Sequence, residues 1–362
     1  MPLFDGVRDL VTDMSNGIAT LVRKLDPDHE RLADWGDQHY LHARQDIITA
    51  LMTIFDKIYY TPDPYVRSGT ARDLDISIKH LKLVETGSYA PEHFAHRPAF
   101  FKPMPLGALE LLSIDRFDSR TSELMKSLDE YWDEAENGGN CGGFTQARAV
   151  SDMFSCLFSM AERVPVGSDE DFTLQQWSGW VRRSVLPMSL PYPHLTVIPV
   201  HRSQHLLTLF VSRWPNRTVQ GRKYTCPTGP KNSESKSPIP WDVRYGDNWV
   251  RDDNHPHRTV ILEHSVPPYE GLLRSEVLTI IGLMRERLSA QTLMDHKVAP
   301  IQIISCMNDY QARILQADFR HGRLTIYKSL LWSFAEQEER LENTSVFLLY
   351  FAAQPVGDTM TY

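Results

Sequence analysis

Apolar residues in the first half of the chain recur at spacings of three and four, and in the second half they cluster into short β-branched runs. Residues 38–60 set Leu41, Ile47, Ile48, Leu51, Ile54, Phe55 and Ile58 along one stripe, which predicts an amphipathic helix. Similar but shorter patterns predict helices over Asp73 to Glu85, Ser122 to Glu136, Ser151 to Arg163 and Thr173 to Val185, with Gly138-Gly139 as a stop after the second. Together these helices are expected to pack as an irregular bundle. Between them, residues 87–107 hold four prolines, which deny backbone donors and predict an irregular segment. Its aromatic residues Tyr89, Phe94, Phe100 and Phe101 fit a loop buried against the helices or a flap over a pocket.

The pattern changes near Pro191. Residues 194–200, 205–213, 258–264, 300–307, 312–319 and 323–328 are short and rich in Val, Ile and aromatic side chains, and so predict strands. A strong helix is expected over residues 272–290, where Leu273, Val277, Ile280, Ile281, Met284 and Leu288 share one side. A helical crossover sets the flanking strands 258–264 and 300–307 parallel, and His321-Gly322 turns a hairpin. The expected fold is α+β: an N-terminal irregular helical region, residues 1–190, packed on a C-terminal mixed β-sheet with a crossover helix, residues 191–362. The low-complexity stretch 227–240 reads as a mobile loop within the second region.

Charge narrows the function classes. Residues 1–190 carry 19 Lys+Arg against 29 Asp+Glu, a net of −10, whereas residues 191–362 carry 19 against 17, a net of +2. A nucleic-acid grip wants a basic face, because each neutralised phosphate releases counterions. The local run Arg213, Arg217, Arg222 and Lys223 reads more simply as a solvated loop, so nucleic acid is not the expected partner. The four cysteines are far apart and form no CxxC pair, which predicts neither a zinc knuckle nor a disulfide framework. The N-terminal residues lack the basic start and apolar core of a signal peptide, and no apolar run is long enough to span a bilayer. The sequons at Asn216 and Asn343 are discounted for the same reason, and a cytoplasmic setting is expected.

One stretch suggests chemistry. In TVILEHSVPPYEG, residues 259–271, Glu263 closes an apolar strand and two prolines follow. Strand with terminal acid, crossover helix, strand: this order resembles the core of restriction-endonuclease-like nucleases. The resemblance implies an Asp before a hairpin and a Glu-x-Lys on the next strand, the two carboxylates holding Mg²⁺ and the Lys steadying the nucleophile. Glu263 takes the Glu position, Asp242, Asp247, Asp252 and Asp253 are the Asp candidates, and Ser265 stands where the Lys is expected. Serine supplies no positive charge beside a scissile phosphate, so the implied site is altered. His255, His257 and His264 crowd the same strand, yet no HExxH is present; by strand alternation His257 and Glu263 share one face and His264 takes the other. The simpler reading of Glu263 is a structural carboxylate paired with an arginine or held by backbone.

Other features are weaker. Residues 137–144, NGGNCGGF, lack phosphate-loop spacing and read as a turn, and Cys141 within them has no base assigned to it. The segments EHSVPPYEG, LRSEVL, QARILQADF and QPVGDT resemble the C-terminal half of a large group of filamentous-fungal proteins, over roughly residues 190–362; the resemblance implies a lineage and a cytosolic setting rather than a reaction. The leading expectation is a nuclease-like core without metal chemistry. It binds a small, largely apolar molecule in a cleft between the halves, as a pure binder or as a cofactor-independent enzyme of specialised metabolism such as a cyclase. Tyr192, His201, His205 and Trp241 are its expected ligand-binding residues, with Glu263, His257 and Asp252 as catalytic candidates. The alternatives are a Mg²⁺-dependent nuclease using Glu263 and Asp252, and a non-enzymatic interaction protein.

Overall fold

The computed structural model describes residues 27–61, 63–83, 100–105, 107–110, 112–114, 119–136, 145–165, 172–183, 198–199, 222–223, 241–250 and 254–361. The chain divides into two compact units, Met1–Ile48 and Thr49–Tyr362. Helix α1, Pro27–Tyr59, is 33 residues long. Within the second unit its apolar stripe buries Leu51, Ile54, Phe55 and Ile58, as the spacing requires.

The second unit is built on an eight-stranded mixed sheet. In chain order its strands are β1 (Ile76–His80), β2 (Val181–Arg183), β3 (Trp241–Val250), β4 (Arg258–His264), β5 (Ile301–Met307), β6 (Gln311–Arg320), β7 (Arg323–Lys328) and β8 (Trp332–Ser333). They lie in the order β1-β7-β6-β5-β4-β3-β2, with β8 paired to β6. The α+β class holds, and strands β4 and β5 are parallel, joined through helix α4 (Arg274–Ser289) as the crossover predicts. All seven residues of β4 are buried, and so are all seven of β5. Covered on both faces, each strand has an apolar centre, Val260-Ile261-Leu262 in β4 and Ile303-Ile304 in β5, and also buries polar side chains.

Three helices beside α1 and α4 matter for the site: α2 (Ser119–Glu136), α3 (Thr145–Ser159) and α5 (Gln337–Phe351). Helices α3 and α5 cover one face of the sheet, where Phe154, Phe158, Phe334, Phe347 and Phe351 pack with Ile261, Ile304 and Ile314. Phe154 stacks on Phe347 with ring centroids 5.2 Å apart, and Phe334 meets Phe347 edge-on at 5.1 Å. Between these elements the core is filled by side chains. Helix α4 lies against the opposite face, burying Val277, Ile280, Ile281 and Met284.

Several expectations are corrected. The helix expected over Asp73 to Glu85 does not form in the described part, residues 74–83: a short helix, Ser68–Asp73, stops at Leu74, and Asp75 adopts φ 53°. From there Ile76-Ser-Ile-Lys-His follows period two and forms β1, parallel to β7. The helix expected from Thr173 is cut to Leu174–Ser178, because Gly179 takes a left-handed C-cap at φ 73°, and Val181–Arg183 continues as β2. Helix α3 begins and ends earlier than expected, and Glu162–Pro165 is a strand in a small antiparallel sheet with Leu112–Ile114 and Phe172–Thr173. The main sheet takes strands from both sides of residue 191, while the compact units divide at Ile48/Thr49. The hairpin at His321-Gly322 forms as predicted, with φ 50° and 73° bringing Arg320 opposite Arg323. The loop 227–240 and the strand expected over 205–213 fall outside the described residues. Of the strand expected over 194–200, only Ile198–Pro199 is described. No helix among the described residues is long and apolar enough to cross a membrane.

Candidate functional site

Glu263 stands at the carboxyl end of β4 and is 1% exposed. Ionised carboxylates are rarely buried without partners, and helix α3 supplies them. Arg148 donates from Nε and Nη2 to Oε2 at 3.2 and 3.0 Å, and Ser151 donates from Oγ to Oε1. Arg148 and Ser151 are three residues apart, so one face of α3 presents both groups to the strand end. Arg148 keeps 23% of its side chain exposed, which places the pair at the margin of the core. The carboxylate therefore accepts from a guanidinium on one oxygen and a hydroxyl on the other. Among the described residues no group of three or more His, Cys, Asp or Glu side chains is placed to hold a metal ion.

The antiparallel register of β3 and β4 sets Asp242 opposite Glu263 and Trp241 opposite His264. Strand β2 pairs with Asn248–Val250, at the other end of β3. Asp252, Tyr192, His201 and His205 lie outside the described residues.

Strand alternation turns His264 to the opposite face, as the sequence predicts, and there it enters a fully buried polar chain. Its Nε2 lies 2.9 Å from Ser305 Oγ and its Nδ1 3.0 Å from Ser275 Oγ. Ser305 donates its own proton to Glu276 Oε1 at 2.7 Å, so it accepts from His264 Nε2–H, and a neutral ring accepts at Nδ1 from the Ser275 hydroxyl. Burial lowers the imidazole pKa to about 4, which keeps the ring neutral at neutral pH. Burial alone would raise the Glu276 carboxyl, but the charge and hydrogen bonds of Arg313 outweigh it and hold the pKa below its usual value.

Arg313 and Glu276 are both 0% exposed. Arg313 reaches Glu276 from Nε at 2.8 Å and Nη2 at 2.5 Å, and donates to the carbonyls of Tyr269 and Gly271 at 2.9 and 2.8 Å. Glu276 also accepts from Leu273 N at 2.8 Å, capping the first turn of α4. The two prolines of VPPYEG therefore belong to a loop folded over a buried arginine. The strand-end sequence is polar on both faces because each face has its own ion pair.

His257 is placed at the start of the strand. Six residues separate it from Glu263, which is about 20 Å along a strand, so the structure does not bring these two catalytic candidates together. His257 is 2% exposed, its ring meets Phe101 edge-on at 5.4 Å, and Nε2 donates to Val356 O at 3.1 Å. Burial lowers its pKa to about 4.

Sequence reasoning missed Arg148, Ser151, Glu276, Ser305 and Arg313. Only Glu276 carried a local signal, an acid three residues after the helix start. No protein-family model, curated protein or solved structure matches the chain.

Proposed function

We propose that this chain carries a nuclease-like sheet in which an internal ion pair has replaced metal chemistry, and that it acts as a binder of a small, largely apolar molecule. The observation that carries this reading is the pairing of Glu263 with Arg148 and Ser151. A guanidinium already supplies the positive charge that a divalent cation would bring to that carboxylate, and Ser265 gives no ammonium beside it. On this reading the candidate ligand-binding residues are Trp241, Tyr192, His201 and His205.

The test is calorimetric titration of 1-anilinonaphthalene-8-sulfonate into the native protein and into Trp241→Ala. The expected result is one-to-one saturable binding, weakened about tenfold or more in the variant, since burying an aromatic side chain contributes roughly 1.5–3 kcal/mol. Absence of saturable binding, or identical binding by the variant, removes the reading.

A second reading is a metal-dependent nuclease, and the observation favouring it is the register of Asp242 opposite Glu263 across β3 and β4. The two residues occupy the Asp and Glu positions that the nuclease resemblance implies. Mn²⁺-dependent nicking of supercoiled DNA by the native protein, lost in Asp242→Asn and in Glu263→Gln, would establish this reading over the first.

A further inference from the structure

The carboxyl-terminal segment, residues 354–361, crosses the amino-terminal end of β4 as a strap. Gln354 and Pro355 pair antiparallel with Lys102 and Phe101, and Val356 N donates to Phe100 O at 2.9 Å. Farther along, Thr359 O accepts from Lys297 N and Val298 N at 2.8 and 3.0 Å. Most of the strap is exposed, with only Thr359 fully buried. Its hold on the body is therefore largely polar.

Two buried imidazoles complete that hold. His257 Nε2 donates to Val356 O at 3.1 Å; a carbonyl has no proton to give, so this nitrogen carries the hydrogen. His257 Nδ1 is buried without a hydrogen-bond partner. His296 is 8% exposed, with Nε2 2.8 Å from Asn254 O and Nδ1 2.7 Å from Thr359 Oγ1. The same donor logic gives Nε2 the hydrogen, and in the neutral ring Nδ1 accepts from the Thr359 hydroxyl.

We propose that this strap is an acid-released latch, closed by the neutral form of His257 and opened when its unpartnered Nδ1 takes a proton. The groups facing that ring are His255 from the preceding loop, Arg287 from the end of α4 and His296 from the loop before β5, none of which offers a negative charge. From β-paired residues and strap it meets Phe100, Phe101 and Val356, which are apolar or already bonded. Asp358, the strap's acid, is exposed and turned to Met360 N and Thr361 N. An imidazolium formed here has no acceptor for its new proton among the described residues and reaches water by peeling away the strap, which uncovers Phe101 beside it.

The test is hydrogen exchange on the full chain, read by mass spectrometry in peptides covering 354–361 and 301–320 at pH 7.5 and 5.0, after correction for intrinsic rates. With the ring titrating near 4 when closed and 6.5 when free, the opening equilibrium of the strap rises about 30-fold at pH 5.0, while 301–320 keeps its protection. In His257→Gln, whose amide still donates to Val356 O but does not titrate, strap exchange is independent of pH. Unchanged strap exchange at pH 5.0, loss of protection in strap and sheet together, or an acid response that persists in His257→Gln each overturns the latch. Should His257→Gln open the strap already at pH 7.5, the native protein decides. The midpoint of its His257 ¹³Cε1 shift must then coincide with that of strap exchange, and distinct midpoints reject the proposal.

Discussion

Replacing Arg313 by Met probes the driest part of the molecule. Arg313 makes two bonds to Glu276 and two short ones to the carbonyls of Tyr269 and Gly271, and neither ionic partner has any exposure. Methionine fills much of the same volume but leaves the Glu276 carboxylate buried with only Ser305 and the Leu273 amide as donors. Removing one partner of a buried ion pair costs about 3–5 kcal/mol. Orphaning two loop carbonyls adds roughly 1 kcal/mol each where water cannot reach them. The expected loss is therefore about 5–7 kcal/mol, comparable to the whole stability of many domains. The double variant Arg313→Met/Glu276→Gln removes the stranded charge and is expected to recover about 2 kcal/mol or more. Urea unfolding at pH 7.5, followed by tryptophan fluorescence, measures both. A loss below about 1.5 kcal/mol for Arg313→Met would refute the reasoning, since it would mean that the pair is already hydrated.

Arg148→Met strands the Glu263 carboxylate at a partly exposed margin, and unfolding experiments are expected to show a loss of about 2–4 kcal/mol that Glu263→Gln partly restores. Acid should weaken the fold: His257 and His264 both have folded pKa values near 4 against 6.5 unfolded. The unfolded chain therefore binds more protons between those values, and the stability present above pH 6.5 is lost as pH falls toward 4, at about 2 kcal/mol per histidine by pH 5. A flat urea midpoint from pH 7 to pH 5 would contradict both burials. Thr279 is 0% exposed with a hydroxyl that has no hydrogen-bond partner, so Thr279→Val is expected to stabilise by about 1 kcal/mol; a clear loss would place a hidden partner there. A Cβ on Gly271 would clash with the Tyr269 ring, and Gly271→Ala is expected to cost about 1–3 kcal/mol, relieved when Tyr269→Ala is added.

Much of the sheet was legible because its strands state themselves locally. RTVILEH and IQIISCM carry apolar, mostly β-branched centres, Val260-Ile261-Leu262 and Ile303-Ile304, and His321-Gly322 supplies the two left-handed residues of a tight hairpin. Strand β3 was not legible: WDVRYGDNWV mixes charges with a glycine, and its pairing with β4 shifts register between Val243 and Asn248. Strand β1 was masked by helix-like spacing until Asp75 broke it. For the site, the sequence showed an acid at a strand end and the alternation that divides His264 from His257 and Glu263. It did not show what each acid meets, because Arg148 stands 115 residues from Glu263 and Arg313 stands 37 from Glu276. Such pairings are created by the fold.

The central claim is that Glu263 serves an internal ion pair and holds no metal. Calorimetric titration of Mg²⁺ and Mn²⁺ into metal-free native protein, beside Glu263→Gln, tests it most directly. The account expects no saturable binding in either. Saturable binding to the native protein that disappears in Glu263→Gln would contradict it, because the carboxylate would then have to leave Arg148 for a cation.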